Sequence, residues 1–536
     1  MARKKNGLRM AGYGCACLAW LVGCSTSTVG SGGLIVAPDA KLDAAIAETD
    51  AGATDAAADP DVQDSTAADV AADVQAPPLA CDSVVSSVAE LAAAVQSLVP
   101  GTTLCLADGT YTDAVLSFTA PGTAAAPIVI AAQHPGQAVF TGKTQISMGG
   151  AYATLQGLYL HGGQSAGTAL VELKSGKKNC DHCRITELAI VDFDGGNTND
   201  VKWVSLYGQY NRVDHCVFSG KTNPGTLLVV WRLSTQTDFD QIDHNLFANR
   251  PITGTNGNEA IRIGTGAEAS TDSSTTVEAN LFVAMSGDAE IISVKSGANV
   301  IRGNTFQRCI GQVTLRNGSG STVDGNIFLT EGATDAGGIR IIGAKHRVTN
   351  NYVEGVRTTS AARGGLVLMS GQANAQAGGY AQVQDALVAF NTVYDCDQSL
   401  IFGADTNPLQ PATVTFANNL VAAARTAVVA TGIGLANPTV AGNLYAGAPL
   451  GYTPATGFTQ VDPQLVRAAD GLMRPAAGSA AIGAVQGSLD VPVDIDGQPR
   501  TQPGDVGCDQ VNGVGPTHGP LSRVDVGTTS WSLTVP

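Results

Sequence analysis

The stretch "VIRGNTFQRCIGQVTLRNGSGSTVDGNIF", residues 300–328, contains one short pattern twice. "GNTF" places Asn304 directly after a glycine, and "GNIF" places Asn326 in the same way 22 residues later. Short runs in which apolar and polar residues alternate fill the interval, which is typical of β-strands separated by turns. A repeat of this length predicts one coil of a parallel β-helix.

The pattern continues on both sides of this stretch. An Asn followed by two apolar or Thr residues occurs at Asn245, Asn280, Asn304, Asn326, Asn351, Asn391, Asn419 and Asn443. Steps of 22 to 25 residues predict single coils, and the longer steps predict coils that carry a loop, such as residues 264–276. A β-propeller is the alternative, but its blades need about 40 residues each. We expect each Asn to adopt left-handed geometry and to hydrogen-bond its equivalents in the neighbouring coils.

Composition agrees with an all-β chain. The 536 residues include 64 Gly, and only 14% are charged. Near the start of the repeats, Val88, Leu91, Val95 and Leu98 recur at helical spacing before Gly101. This spacing predicts a short N-terminal helix that caps the end of the β-helix.

The N-terminus predicts an exported lipoprotein. Basic residues between positions 3 and 9 precede a short apolar stretch that ends in "LVGC", residues 21–24. Residues 1–24 are therefore interpreted as a lipoprotein signal peptide, with Cys24 as the lipidated residue. Ser25 favours the outer membrane, at its periplasmic or cell-surface face. An ordinary signal peptide with an incidental Cys is the alternative.

Residues 25–80 predict a disordered tether. The segment is rich in Ala and Asp, and it has ten acids and one Lys between Pro38 and Ala80. Most of the net charge of −16 is therefore carried by this segment. The acidity says little about the partner of the predicted folded domain, residues 81–514, which a tail at 515–536 follows. Nothing indicates nucleic-acid binding, and we expect a monomer.

Cysteine positions suggest a disulfide between Cys81 and Cys105, which bracket the predicted helix. The tripeptide "DHC" occurs at 181–183 and again at 214–216. A metal site with His182 and His215 is one interpretation. Cysteines stacked in the core on neighbouring coils are the favoured one.

The segment "GDAEIISVKS", residues 287–296, gathers charges among apolar residues. Asp288, Glu290 and Lys295 would be costly in a buried strand unless they are paired or bind a metal. One coil beyond Lys295 lies Arg316, and one further coil leads to Arg340. We expect these three cations to form a ladder on one outer face. A bulge between the adjacent residues 291 and 292 would let all the charges face outward.

Two interpretations of this cluster remain open on the residues alone. Two carboxylates with an amide oxygen from Asn256 or Asn258 are suitable ligands for Ca²⁺ at a polyanion-binding site. A surface ion-pair network that only stabilises the coils is equally compatible.

The sequence resembles a family of polysaccharide lyases that includes chondroitinase B and a group of alginate lyases. The resemblance covers about residues 84–512, and its motifs occur in the family's order. They are "LADGTY", "GTAAAPIVIAA", "GKTNPGTLLVV", "NGNEAIRIG", "GDAEIISVKSGANVIRGNTF", "VTLRNG", "GGIRII", "HRVTNNYVEG" and "FNTVYDC".

The resemblance implies a right-handed single-stranded parallel β-helix that cleaves an acidic polysaccharide. The family breaks 4-linked uronic acid polymers by β-elimination, and alginate is the expected substrate here. A dermatan sulfate lyase of the chondroitinase B type is the alternative enzyme. A noncatalytic surface β-helix that binds polysaccharide is the alternative outside enzymes.

The resemblance also assigns roles to residues. Lys295 would be the general base, and Arg316 would stabilise the developing enolate. Ca²⁺ would be held by Asn256, Asp288 and Glu290. Substrate contacts would come from Lys221, Arg262, Asn317, Arg340 and His346. Trp203 and Trp231 would either stack on sugars or pack the scaffold.

Two positions depart from the family pattern. Asp288 stands where the family usually has Glu, which shortens the acid by one methylene and is expected to weaken calcium binding. Asn317 follows the predicted catalytic Arg where the family usually has His. Because an amide does not exchange a proton in this way, that position offers no acid or base.

Overall fold

The computed structural model describes residues 79–196, 198–232, 236–254, 256–511 and 515–535. The predicted signal peptide with Cys24, and the predicted tether up to residue 78, lie outside these ranges. Within the described ranges, no helix combines the length and the apolar character that crossing a membrane requires.

The first described helix caps the fold as predicted. It runs Val88–Ala94, and the Ser87 hydroxyl accepts the Glu90 N–H at 3.2 Å while the Glu90 carboxylate accepts the Ser86 N–H at 2.7 Å. This reciprocal pair fixes the start of the helix. The helix ends before Leu98 because the chain tightens into three-residue turns, with the Ser97 N–H donating to the Ala94 carbonyl.

Three sheets of almost entirely parallel strands make up the body of the protein, and most coils contribute one strand to each sheet in turn. The first sheet consists of Ser83–Val85, Thr103–Leu106, Ile128–Ala132, Ala153–Gln156, Arg184–Thr186, Arg212–Asp214, Gln241–Asp243, Thr276–Glu278, Val300–Arg302, Thr322–Asp324, Arg347–Thr349, Leu387–Ala389, Thr415–Ala417 and Thr439–Ala441.

The second sheet follows the first in every coil. It consists of Gly109–Thr112, Ala138–Thr141, Leu158–His161, Ala189–Val191, Val217–Ser219, Leu246–Arg250, Leu281–Met285, Thr305–Gln307, Ile327–Leu329, Tyr352–Glu354, Thr392–Tyr394, Leu420–Ala422, Asn443–Tyr445 and Phe458–Gln460.

The third sheet carries the charged segment. It consists of Val115–Pro121, Lys143–Ala151, Gln164–Ser165, Ala169–Glu172, Lys174–Ser175, Lys178–Asp181, Lys202–Leu206, Leu228–Val230, Ile261–Ile263, Glu290–Lys295, Gln312–Asn317, Ile339–Ile341, Leu366–Met369, Gln398–Ala404 and Ala427–Thr431. A 3₁₀ turn at Gly266–Glu268 and an antiparallel pair, Leu465–Arg467 with Met473–Pro475, lie outside the three sheets. The fold is the predicted right-handed parallel β-helix.

The repeated Asn residues form a continuous ladder at the corner between the first and second sheets. Asn304 Nδ2 donates to Asn326 Oδ1 at 2.9 Å, and Asn304 Oδ1 accepts from the backbone N–H and Nδ2 of Asn280 at 3.0 Å each. The predicted ladder is confirmed, but the predicted backbone is wrong. The residue before each Asn takes the left-handed conformation, as at Ala279 with φ +51°, because the Asn itself must point into the core.

The core lies inside the coils, where aromatic residues stack beside the Asn ladder. Phe247, Phe282, Phe306 and Phe328 follow one another with ring centroids 4.8, 4.7 and 4.5 Å apart. Identical side chains in register therefore hold neighbouring coils at the spacing of paired strands.

The described residues of the predicted C-terminal tail pack back along the second sheet. Residues 521–535, which we call the C-terminal strap, cover apolar residues such as Val217 and Leu246. The Leu521 N–H donates to Thr305 Oγ1 at 2.9 Å, and the Glu187 carboxylate accepts from the Thr529 and Ser530 N–H groups. The strap therefore belongs to the folded body.

The predicted disulfide between Cys81 and Cys105 is present, with the Cα atoms 5.7 Å apart. Cys180 and Cys183 are bonded to each other, so the prediction of stacked core cysteines is wrong for this pair. Their separation of three residues places both sulfur atoms at one turn, whereas stacking needs equivalent positions on successive coils. Cys216 is a free, buried thiol.

The two histidines of the repeated tripeptide belong to different ring stacks. His182 lies between Tyr152 and Tyr210, with ring centroids 4.5 and 4.8 Å away. His215 instead stacks on His244 at 5.1 Å. The structure therefore does not bring His182 and His215 together as a metal site.

Candidate functional site

The strand Glu290–Lys295 contains the predicted bulge. Glu290 pairs with Gln312 and Ile292 pairs with Val313, so Ile291 is an extra residue in this strand. Ile291 is buried together with Ile292. The extra residue restores the alternation, and the side chains of Glu290, Ser293 and Lys295 share one face of the third sheet.

The cations share this face but not a single row. Arg340 pairs with Thr314, which pairs with Ser293, whereas Lys295 pairs with Asn317. A second register shift, between Val294 and Lys295, causes this offset. The predicted straight ladder of Lys295, Arg316 and Arg340 is therefore wrong, and Lys295 and Arg316 lie farther along their strands than Arg340.

Arg340 and Glu290 form a buried ion pair beneath the two exposed cations. Arg340 Nη2 donates to Glu290 Oε1, and the Ser293 hydroxyl donates to Glu290 Oε2. The side chains of Arg340 and Glu290 are 9% and 11% exposed. Arg316 Nε lies 4.0 Å from the same Glu290 oxygen, so this carboxylate faces two guanidinium groups.

Asp288 is fixed by backbone groups. Its Oδ2 accepts the N–H of Gly257 at 2.8 Å and of Asn258 at 3.1 Å, and its Oδ1 accepts the N–H of Glu290 at 3.2 Å. Burial, together with the charges of Glu259 and Glu290, raises the pKa of Asp288 to about 6 against the lowering effect of these hydrogen bonds. The carboxylates in this part of the site are therefore crowded.

Glu259 is a functional candidate that sequence reasoning missed. Its Oε1 lies 3.5 Å from Lys295 Nζ, and its Oε2 accepts a hydrogen bond from Thr226 Oγ1 at 2.7 Å. The Glu259 side chain is buried, whereas that of Lys295 is 22% exposed. The sequence does contain a signal for it. Ile261 pairs with Ile292, so Glu259 occupies, one coil earlier, the position equivalent to Glu290.

Arg316 is held by a loop from a distant part of the chain. Its guanidinium lies 4.2 Å from the centre of the Tyr380 ring, and its Nη1 donates to the Gly379 carbonyl at 3.4 Å. Asn317 Nδ2 donates to the same carbonyl at 2.9 Å. Asn317 is therefore buried and turned toward this loop, which does not favour its predicted contact with substrate.

Two loops meet beside the cations. A Cβ atom placed on Gly266 would lie 2.8 Å from the Cα of Gly378, so the two backbones are in close contact. Gly266 belongs to the predicted loop at 264–276, and Gly378 precedes the residues that hold Arg316. The contact forms a wall along one side of Lys295 and Arg316.

A family comparison identifies the chain. The family model for chondroitinase B matches residues 85–442. The chain belongs to the chondroitinase B family. A search of curated protein sequences gave no match.

Solved structures similar to this family member include two lyases at 30% identity. The PL6 family alginate lyase AlyGC has a TM-score of 0.74, and the alignment covers 84% of this chain and 59% of that one. A mannuronic acid specific polysaccharide family 6 lyase from human gut microbiota has a TM-score of 0.64, with 71% of this chain and 91% of that one covered. The chain thus spans less than two thirds of the length of AlyGC.

A third similar structure supports the fold alone. The PL6 family polysaccharide lyase Pedsa3628 from Pseudopedobacter saltans is 23% identical, with a TM-score of 0.61, over 84% of this chain and all of that one.

The predicted amide ligands of calcium are placed differently in this family member. Asn256 is exposed on its loop. Asn258 is buried, and its Oδ1 accepts the Gly225 N–H at 2.8 Å and Arg250 Nη2 at 2.9 Å. The amide oxygen of Asn258 is therefore engaged by two donors.

The residues present do not fit an assembled calcium site. Both oxygens of Glu290 are engaged by Arg340 and Ser293, and those of Asp288 accept backbone N–H groups. Calcium prefers six to eight converging oxygen ligands, and a buried guanidinium already balances Glu290. Calcium thus stays a prediction of the resemblance.

The acidic side chains that do converge in the described residues lie elsewhere. Asp494, Asp496 and Asp509 offer oxygens close together near the C-terminal end of the body. Arg474 Nη1 donates to both Asp496 and Asp509 at 2.7 Å. Two of the three carboxylates are therefore already engaged in an ion-pair network with Arg474.

The structure places Lys221 away from solvent, and its substrate contact stays a prediction. Its side chain is fully buried, and its Nζ donates to the carbonyls of Asn223 at 2.9 Å and Pro224 at 3.0 Å. Burial, together with the charge of the nearby Arg250, lowers the pKa of Lys221 to about 6. Lys221 therefore fixes the backbone of the loop at residues 223–224, which leads to Thr226.

His346 is buried in the same way, and its substrate contact also stays a prediction. The His346 ring is buried, its Nδ1 accepts the Ser321 N–H at 3.1 Å, and its Nε2 donates to the Ile342 carbonyl at 3.0 Å. Burial lowers its pKa to about 4. Both ring nitrogens are therefore hydrogen-bonded to backbone groups of the coils.

Of the remaining predicted contacts, Arg262 is partly exposed on the third sheet, whereas Arg340 on the same face is buried. The Arg262 guanidinium lies 5.1 Å from the centre of the Trp231 ring, and both side chains are partly exposed. Arg340 is occupied by Glu290 and is buried. Trp203 is fully buried, so it packs the scaffold.

Proposed function

We propose that the protein is a polysaccharide lyase that cleaves a uronate polysaccharide by β-elimination, with alginate as the expected substrate. The observation that carries the proposal is the placement of Lys295 and Arg316 on one face of neighbouring coils, beside the Glu259 carboxylate 3.5 Å from Lys295 Nζ. The family and its similar alginate lyase structures support the same activity.

The proposed reaction uses these side chains in sequence. Arg316 faces the uronate carboxylate and stabilises the negative charge that develops when the C5 proton leaves. Lys295, as the neutral amine, removes that proton. The electron pair of the C5–H bond forms the C4–C5 double bond, and the C4–O4 bond breaks. The leaving O4 takes up a proton, for which the Lys295 ammonium is the nearest donor.

Glu259 and Tyr380 position the two reacting groups in this proposal. Glu259 accepts a hydrogen bond from Nζ and so restricts the flexible stem of Lys295. The ring of Tyr380 and the carbonyl of Gly379 orient the guanidinium of Arg316. Orientation of this kind is worth large factors in rate when reacting atoms are held in contact.

The activity test follows the ultraviolet absorbance of unsaturated uronate. Alginate, polymannuronate, polyguluronate and dermatan sulfate are supplied separately to the wild type, to Lys295→Ala and to the control Lys345→Ala, in which an exposed lysine outside the site is removed. We expect product from one of the first three polymers, with loss in Lys295→Ala alone. Full activity in Lys295→Ala would refute the mechanism, and product from dermatan sulfate alone would reassign the substrate.

Calcium dependence is tested in the same assay with a chelator. Because the carboxylates of Asp288 and Glu290 are already engaged, we expect activity to persist. Abolition by chelator and recovery with calcium would show that the carboxylates rearrange around a metal, as the resemblance implies.

We also propose that the protein is anchored in the outer membrane through a lipid on Cys24. The "LVGC" motif and the acidic segment after it support this proposal. Cys24→Ser is expected to move the protein from the membrane fraction to the soluble fraction. Unchanged membrane association in this variant would contradict the proposal.

A further inference from the structure

A second row of side chains runs along the face that carries Lys295. The strands of five successive coils pair through Glu172, Ser205, Val229, Arg262 and Ser293. Two residues farther along the same segments stand Lys174, Tyr207, Trp231, Gly264 and Lys295. Because positions two apart face the same side of a sheet, this second row points outward with the catalytic lysine.

At the end of the row farthest from Lys295, the ammonium group of Lys174 lies over the ring of Tyr207. Lys174 Nζ lies 4.5 Å from the centre of the Tyr207 ring. The Tyr207 ring stacks on Trp231 with centroids 6.1 Å apart and an angle of 14°. A cation over an aromatic face is partly oriented before any ligand arrives, which lowers the entropy cost of binding an anion.

Gly264 lies between these rings and Lys295 in the row. It has φ +80° and presents no side chain. A Cβ atom there would meet the Lys295 carbonyl at 3.1 Å and the Arg232 side chain at 3.2 Å, so the coils are closely packed at this position. The aromatic part of the row therefore begins at Trp231 and continues with Tyr207.

The charge of this region differs from that of the chain. The chain carries a net charge of −16, yet "KSGKK", residues 174–178, gathers three lysines on one hairpin. Two acids lie close to this hairpin, and both are engaged. Glu172 Oε1 accepts hydrogen bonds from Gln145 Nε2 at 3.1 Å and Ser147 Oγ at 2.7 Å, and Asp181 Oδ1 accepts the Gln209 N–H at 2.9 Å. A locally basic edge on an acidic protein favours an anionic ligand.

We propose that Lys174 and Tyr207 form a remote subsite that binds a carboxylate of the same uronate chain whose scissile unit lies at Lys295. The inference rests on the proposed function and adds the direction in which the polymer lies, along the axis of the β-helix. Four coils separate Lys174 from Lys295, a span of about 19 Å at the spacing of paired strands. A polymer reaches both places at once, and a trisaccharide does not.

The test compares chain lengths in matched variants. Lys174→Met keeps the apolar stem on the ring and removes the charge, Lys174→Arg restores a charge, and Lys345→Ala is the control outside this face. In Lys174→Met we expect KM for the polymer to rise about tenfold, the effect of losing about 1.4 kcal/mol of binding, with kcat unchanged. Kinetics on a uronate trisaccharide are expected to stay at the wild-type level, and Lys174→Arg is expected to recover most of the KM.

Two results would overturn the subsite. One is a polymer KM in Lys174→Met that equals that of Lys345→Ala. The other is an equal loss on polymer and trisaccharide, which indicates damage to the catalytic groove. Circular dichroism and the melting temperature of each variant identify a folding defect. If Lys174→Met has such a defect, the polymer KM of Lys174→Arg is compared with that of Lys345→Ala instead.

Calorimetric binding distinguishes a failure of the proposed lyase activity from a failure of the proposed subsite. If the wild type forms no unsaturated product from any polymer, calorimetric titration with polymannuronate and polyguluronate replaces kinetics. Weaker binding by Lys174→Met than by Lys345→Ala supports the subsite without catalysis. Equal binding by both, or binding by neither the variants nor the wild type, overturns it.

Discussion

The buried ion pair between Arg340 and Glu290 allows a direct test of how charge pairing at the site stabilises the fold. Replacing Arg340 by Met keeps a long apolar side chain in the third sheet and removes the guanidinium. Glu290 then keeps the Ser293 hydroxyl and the more distant Arg316, 4.0 Å away. The buried carboxylate loses its main counter-charge.

The expected loss in the free energy of unfolding of Arg340→Met depends on how deeply the pair is buried. Side chains 9% and 11% exposed are weakly screened by water. Breaking such a pair on one side costs about 3–5 kcal/mol, because a buried charge is left unpaired. Since Arg316 remains, we expect the lower end, about 3 kcal/mol. The double variant Arg340→Met, Glu290→Gln removes both charges and is expected to recover most of this loss.

Urea unfolding followed by circular dichroism measures these differences, with and without added calcium. An unfolding midpoint of Arg340→Met equal to that of the wild type would refute the argument from burial. Recovery of the single variant by calcium, with none in the double variant, would show that Glu290 binds the metal once its guanidinium is gone.

Three further predictions follow from described contacts. For Asp288, a pKa raised to about 6 from 3.8 means that its contribution to stability is present below pH 4 and is lost as pH rises through 6. Asp288→Asn should therefore be more stable than the wild type at pH 8 by up to about 3 kcal/mol and equal to it near pH 4, checked by urea unfolding at both pH values. Asn304→Ala should lose about 4 kcal/mol, because the backbone N–H and Nδ2 of Asn280 lose their acceptor and the Val277 carbonyl loses a donor, all in the buried core. A loss below about 1 kcal/mol in the same assay would contradict the ladder. Glu259→Gln should lower kcat about 10- to 100-fold at nearly constant KM, since Lys295 loses its orienting carboxylate; a rise in KM alone in steady-state kinetics would assign Glu259 to binding instead.

The parts of the fold that sequence predicted are those in which the pattern is local. The Asn repeat sets the length of each coil because equivalent residues must stack. The bulge at Ile291 is visible because two adjacent apolar residues break a strict alternation. The disulfide from Cys81 to Cys105 joins two neighbouring strands of the first sheet. Each of these features depends on residues within one or two coils.

The parts that sequence reasoning missed depend on contacts between coils or on side-chain direction. Arg340 is out of line because a second register shift lies at Lys295, where no adjacent apolar pair reveals it. Tyr380 reaches Arg316 across more than sixty residues. Lys221 and His346 match the family by residue type, but residue type does not tell whether a side chain faces the groove or the backbone.

The C-terminal strap has a consequence for the order in which the protein is completed. In a stacked array each coil contacts its neighbours, so early coils form while later ones are still being synthesised. The strap breaks this rule, because Trp531 packs beside Gly136 at the opposite end of the body. Until residues 521–535 emerge, apolar side chains such as Val217 and Leu246 lack the cover that the strap provides, and a nascent chain that stops before residue 521 presents a surface prone to aggregation. Completion of the early coils therefore depends on residues 521–535.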